Sequence, residues 1–148
     1  MSYDLEIEIR SPQPSDRQYL FNSWLTSLRF NKPFNSLEKY WYFAAGTALL
    51  SRILFDSQML VGSNPSNSDQ IFGYVVFNRD NRALHFIYVK KNFRRAKIAT
   101  RLMEAAFENF DEPILYTTKT TAIVHYEKRW NLEYGPHLLG EMTKEQEH

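Results

Sequence analysis

YVKKNFRRAKIATRLMEAAF, residues 88–107, runs from the apolar end of a strand into the apolar stripe of a helix through six bases: Lys90, Lys91, Arg94, Arg95, Lys97 and Arg101. No acid appears before Glu104. Read as a helix over 97–110, the segment lines up Lys97, Arg101, Glu104 and Glu108 on a polar stripe, with Ile98, Leu102, Ala105 and Ala106 on a buried face. The helix dipole favours acids at the start of a helix and bases at its end, and this order is reversed. Each misplaced charge costs a few tenths of a kcal/mol, roughly, unless an anion sits at the helix start. Free backbone N–H groups at a helix start suit phosphate, and a preceding strand delivers that start to the end of a sheet.

The rest of the chain supplies that sheet. Residues 4–10, DLEIEIR, alternate Leu5, Ile7 and Ile9 with charged neighbours, as a strand with one wet face does. Ser15 or Asp16 then caps an amphipathic helix from Arg17 to about Phe30, with Leu20, Phe21, Trp24, Leu25 and Leu28 at helical spacing. Ser36 is placed to cap a second helix to about Phe55, whose apolar surplus makes it a substrate wall or a dimer contact. GSNPSNSD, after Val61, reads as a mobile loop. IFGYVVF (71–77) and ALHFIYV (83–89), separated by turn-prone residues 78–82, form an antiparallel hairpin. The helix of residues 97–110 follows, ending near Asp111-Glu112-Pro113. Then come a strand at ILYTTKT, a short helix at TAIVHYEKRW and a last strand at NLEYGPHLL. The order β-α-α-β-β-β-α-β-α-β describes one α/β domain over 1–148, a mixed sheet with one parallel crossover from about residue 83 to 120, and a frayed tail over 141–148.

Composition narrows the function classes. With 18 Lys plus Arg against 17 Asp plus Glu, the net charge of +1 gives no general attraction to nucleic acid or membrane. The absence of cysteine excludes disulfides, thiolate ligands and a Cys nucleophile. The histidines at 85, 125, 137 and 148 lack metal-binding spacing, and the acids form no calcium loop, so no metal is expected. With no long apolar run and no leader-like start, the expectation is a soluble cytoplasmic protein without a membrane partner. The many aromatics, 11 Phe, 9 Tyr and 3 Trp, read first as core, and those at Tyr40, Trp41, Tyr42 and Phe43 mark an expected homodimer contact.

The string YVKKNFRRAKIATRLMEAA resembles the acyl-CoA-binding segment of the GNAT family, the GCN5-related N-acetyltransferases: Gln or Arg, two residues, Gly, one residue, then Gly or Ala. Arg94 matches the first position, Lys97 stands at the first glycine and Ala99 at the final small residue. The resemblance implies a GNAT-like acyl-CoA N-acyltransferase fold over nearly the whole chain. It also implies that backbone amides of Arg95, Ala96, Lys97, Ile98, Ala99 and Thr100 cradle a pyrophosphate, and that Tyr88 and Val89 pair with the pantetheine arm. Downstream, Ala122 to Lys128 is similar to the family's Ala-x-x-x-Tyr-Glu-Lys helix, in which the tyrosine protonates the departing CoA sulfur. That assigns Tyr126 as general acid. The family's following Gly-Phe is replaced here by Arg129-Trp130-Asn131.

What the resemblance implies is direct transfer of an acetyl group from acetyl-CoA, as co-substrate, to an amine acceptor in a ternary complex. An alkyl amine must lose a proton before it attacks, and His85 is the candidate base because its ordinary pKa suits the task. Backbone donors near Val89 can polarise the thioester carbonyl. Two other functions stand beside this one. Asn22 to Arg29, Leu84 to Lys90 and Phe93 to Arg95 are similar to small phage and prophage GNAT-like proteins, among which Mom-type proteins modify adenine in DNA. A GNAT-shaped protein can also bind acyl-CoA or a partner without catalysis. Taken without the resemblance, the six bases are a solvated surface, Tyr126 a core tyrosine and His85 a structural strand residue.

Overall fold

The computed structural model describes residues 6–28, 48, 51–52, 57–117, 123, 126–127 and 129–135. They form β1 (Glu8–Arg10), α1 (Pro14–Leu28), β2 (Gln58–Asn64), β3 (Asn67–Asn78), β4 (Ala83–Val89), a 3-10 turn (Lys91–Ala96), α2 (Ile98–Ala106), β5 (Ile114–Tyr116) and β6 (Leu132–Tyr134). The sheet has six strands in the order β1-β2-β3-β4-β5-β6. Pairing is antiparallel from β1 to β4, then parallel from β4 to β6, so the expected mixed α/β sheet and its parallel crossover are present. Most of the second helix, the aromatic run at 40–43 and the tail lie outside the described residues. Within the two remaining expected helices, Ala48, Ser51, Arg52, Ile123 and Tyr126 are helical.

Several boundaries differ from the sequence reading, each for a local reason. Helix α1 begins at Pro14, whose missing N–H costs nothing in the first turn. Asp16 is therefore not the cap but the third helical residue, reaching back to accept the Gln13 N–H at 2.8 Å. Its carboxylate also meets Arg10 at 2.7 Å, and Arg10 bonds Ser63 and Ser68 as well, tying β1, α1 and the β2–β3 hairpin together. Burial alone would raise the Asp16 pKa, but the Arg10 hydrogen bond, the Gln13 amide and the Arg10 charge hold it below its usual value.

GSNPSNSD is not a loop. The strands continue through it and turn at Pro65-Ser66, where the Asn64 side chain accepts the Ser66 N–H and donates to Gln70. This tip is exposed, so it lacks the apolar alternation by which strands are recognised. Helix α2 ends at Ala106 because Phe107 turns extended and enters the core, 1% exposed, with its ring 5.6 Å from that of Phe77. Ala105 is exposed, and Met103 occupies the buried stripe with Ile98, Leu102 and Ala106.

The core lies between the sheet and α2: Val75, Phe77, Leu84 and Ile87 face Ile98, Leu102 and Met103. Each such aliphatic side chain contributes about 2 kcal/mol by leaving water. Gly62 lies under α2, and a Cβ there would meet Ile98 and Leu102 at ordinary contact distance. The opposite face carries the rings of Tyr74, Phe86 and Tyr88 in contact, and the Tyr74 hydroxyl bonds Ser23 of α1.

Candidate active site

The site is built where β4 loses one neighbour. Its pairing with β5 covers Ala83↔Leu115 and Leu84↔Tyr116, and the Thr117 N–H donates to the Leu84 carbonyl at 3.0 Å. Among the described residues that rung is the last, whereas β3 stays beside β4 as far as Val89. Among the described residues the two parallel strands thus form a fork, and the second half of β4 is one of its arms.

A bulge decides which peptide groups line that arm. Val76 pairs with Phe86 and Phe77 with Leu84, so His85 is an extra residue with no opposite number. Before the bulge, Arg82 and Leu84 direct their carbonyls to β5. Beyond it, the Lys90 N–H donates to Phe72 of β3 at 2.8 Å, so by alternation Phe86 and Tyr88 also turn their peptide groups to β3. Ile87 and Val89 therefore direct theirs to the side of β4 on which β5 pairs. Without the bulge, the side-chain and peptide parity of this arm would be inverted.

The arm ends in the basic turn. Lys91–Ala96 form a 3-10 turn, Lys97 takes a left-handed conformation with φ 59° and ψ 25°, and α2 starts at Ile98. The Arg101 N–H donates to the Lys97 carbonyl, and α2 has no side-chain cap at its start, so Ile98, Ala99 and Thr100 present its leading amides. Ile98 is fully buried and can offer a ligand only its amide. Lys97 is exposed, and the side chains of Arg94, Arg95 and Ala96 lie outside the described residues. Lys90 sets its ammonium 5.7 Å from the Tyr19 ring, bridging the turn to α1. At the other end of α2, Arg79 from the β3–β4 turn bonds the carbonyls of Ala106 at 2.9 Å and Ala105 at 3.2 Å. The cation that the helix lacks in its own last turn is supplied from elsewhere in the chain.

Two polar contacts flank the fork. His85 and Thr117, both 0% exposed, meet at 3.0 Å between Nδ1 and Oγ1, while His85 Nε2 has no hydrogen-bond partner among the described residues. Burial lowers the His85 pKa to about 4, so the imidazole is neutral near pH 7. Next to them, the Tyr116 hydroxyl donates to Glu127. Tyr126, half-buried against the core, stacks on Trp130 with ring centroids 4.4 Å apart and planes 21° apart. The turn closes through Asn131 at φ 54°, a conformation asparagine tolerates, and the Leu132 N–H returns to the Glu127 carbonyl at 2.8 Å. Thr117, Glu127 and Ile87 escaped the sequence reading because only the register brings them to the fork. Among the described residues no group of His, Asp or Glu is arranged to hold a metal, and no helix is long and apolar enough to cross a membrane.

A family model described as an acetyltransferase (GNAT) domain matches residues 43–129, more than half of the chain. The chain belongs to the GNAT family. Among solved structures, a putative acetyl transferase from Pyrococcus furiosus is similar at 18% identity, over 84% of this chain and 91% of that one, with a TM-score of 0.61. A GNAT acetyltransferase from Staphylococcus aureus Mu50 shares 20% identity over 68% of this chain, and YjaB from Escherichia coli 18% over 69%, each with a TM-score of 0.47. This chain spans 63% and 65% of the length of those two proteins, a little under two thirds. No curated protein matches the sequence. The left-handed backbone at Lys97, φ 59°, is a conformation that glycine adopts most readily, and here a lysine holds it.

Proposed function

We propose that this GNAT domain transfers an acetyl group from acetyl-CoA to an amine in a ternary complex. The observation that carries the proposal is the fork. Beyond the last rung described between β4 and β5, the Ile87 peptide group faces the β5 side of the strand, and β4 leads through the 3-10 turn to the start of α2, which has no side-chain cap. An extended amide-bearing arm suits the first feature and a pyrophosphate the second. In this reading Tyr88 and Val89 border the pantetheine, and the backbone of Arg95 to Thr100 holds the phosphates. The Arg94 and Lys97 side chains add charge.

The chemistry follows from the same placement. The amine nitrogen bonds to the thioester carbonyl carbon, the carbon–sulfur bond breaks, and the sulfur takes a proton. The Ile87 N–H, on the β5 side of β4, is in this reading the donor to the carbonyl oxygen as it gains charge. Tyr126 is the proton donor to sulfur. His85 enters as a relay for the amine's proton, not as a reservoir, because its neutral form is so strongly favoured. The nucleic-acid alternative draws on aromatic residues 40–43 and arginine side chains outside the described residues, and the net charge of +1 lends it no support.

Calorimetry with acetyl-CoA tests donor binding; no heat and no thermal shift at millimolar ligand would sink the proposal. A panel of primary amines assayed for thiol release then tests transfer. Tyr126→Phe is expected to lower kcat on any amine that turns over, and an unchanged kcat removes Tyr126 from the mechanism.

A further inference from the structure

Glu127 follows the proposed acid directly in the chain and is anchored twice. Its carboxylate accepts the Tyr116 hydroxyl, and its carbonyl accepts the Leu132 N–H at 2.8 Å. Tyr116 is the β5 residue that pairs with Leu84 on the last rung described between the two strands. Its ring is 1% exposed, belongs to the core cluster and stacks on Tyr134 of β6 with centroids 5.3 Å apart. Burial, the Glu127 hydrogen bond and the Glu127 charge raise the Tyr116 pKa, so the phenol stays a proton donor at any ordinary pH. A phenol donating to a carboxylate is a charge-assisted bond, about twice as strong as a neutral one. The helical turn that carries Tyr126 is therefore fastened by its next residue to the fork itself, while the Tyr126 ring lies against Trp130.

We propose that Glu127 is a positioning residue: through Tyr116 it locks the turn bearing Tyr126 to the last rung of the β4–β5 fork and so sets where the Tyr126 hydroxyl meets the donor sulfur. The inference rests on the reading of Tyr126 as the group that serves that sulfur. It differs from a purely structural role, which would move unfolding without changing the chemistry of a bound thiol.

CoA itself is the probe. Its thiol is titrated in the complex by thiolate absorbance, and its affinity is measured by calorimetry. The proteins compared are wild type, Tyr126→Phe, Tyr116→Phe, Glu127→Ala and Glu127→Gln. A hydroxyl donating to sulfur stabilises the thiolate, so Tyr126→Phe lowers the acidity of the bound thiol by about tenfold. Tyr116→Phe and Glu127→Ala are expected to lower it by a similar factor, with CoA affinity changed less than about twofold. Glu127→Gln, whose amide oxygen still accepts the Tyr116 hydroxyl, keeps the wild-type acidity. If Tyr126→Phe shifts the titration while Tyr116→Phe and Glu127→Ala do not, the positioning role is overturned and Tyr126 keeps its own. If Tyr126→Phe leaves the titration unchanged, the acid reading fails and this inference with it. Failure of wild type to bind CoA overturns both. Should Glu127→Ala not fold, Tyr116→Phe decides, since it removes a single oxygen from the core.

Discussion

His85 Nδ1 and Thr117 Oγ1 stand 3.0 Å apart in the core, 32 residues apart in the chain, beside the last rung that joins β4 to β5. Burial of this histidine gives the fold a pH dependence. Burial lowers the His85 pKa from 6.5 to about 4, so between these values the unfolded chain takes up a proton that the folded chain refuses. The contribution is complete above pH 6.5 and is lost as pH falls toward 4, on the order of 3 kcal/mol across the window. Urea unfolding at a series of pH values is expected to show this slope in wild type and a flatter one in His85→Gln. Asp16, whose pKa is held below 3.8, acts only at lower pH and leaves the window clear.

Gly73 and Gly62 face each other across β2 and β3 but should respond oppositely to alanine. A Cβ on Gly73 would stand 2.5 Å from the Tyr88 carbonyl oxygen, a backbone atom that cannot swing aside, and 3.2 Å from Val89. Gly73→Ala must push β4 at the residues proposed to border pantetheine, costing about 1–3 kcal/mol and weakening CoA binding. Gly62→Ala meets its nearest atoms at 3.6–3.8 Å, ordinary contact, and its unfolding midpoint should lie close to wild type.

Lys97→Gly should stabilise the protein. At φ 59° a side chain crowds its own backbone, and glycine does not, so a gain of about 1 kcal/mol is expected in denaturant unfolding. Lys97→Ala keeps a Cβ and should show no such gain. Equal effects from the two variants would mean that the left-handed turn is not maintained.

Arg79→Met is expected to loosen the far end of α2. The methionine can still lie along the Phe77 ring, which the guanidinium now covers at 5.5 Å, but the carbonyls of Ala105 and Ala106 lose their donor. A loss of about 1–2 kcal/mol follows from the broken bonds and the missing charge. Amide exchange should quicken in the last turn of α2 and at Phe107, and stay unchanged in β1.

Much of the architecture was legible in the chain because it is local. The hairpin over 71–89 follows from two β-rich runs around a turn, in which Asn78 accepts the N–H groups of Asp80 and Asn81. The stripe of Ile98 and Leu102 follows from helical spacing, and the strand–turn–helix order around six bases points to an anion. The mixed sheet, its parallel crossover and the family resemblance rest on these features. The hairpin tip at 64–70 was not legible, since a largely exposed ladder of Asn, Ser and Gln has the composition of a loop and is held by cross-strand contacts.

Tertiary structure alone decided how the pieces meet. The bulge that makes His85 an extra residue, and so turns the peptide groups of Ile87 and Val89 to the β5 side of the strand, depends on the register between β3 and β4. The pairings of His85 with Thr117, Tyr116 with Glu127 and Arg79 with α2 join residues whose local patterns contain no trace of one another. Periodicity in a sequence reports which face of an element is apolar. It does not report where two strands part, because that point is set by side chains packed from opposite ends of the fold.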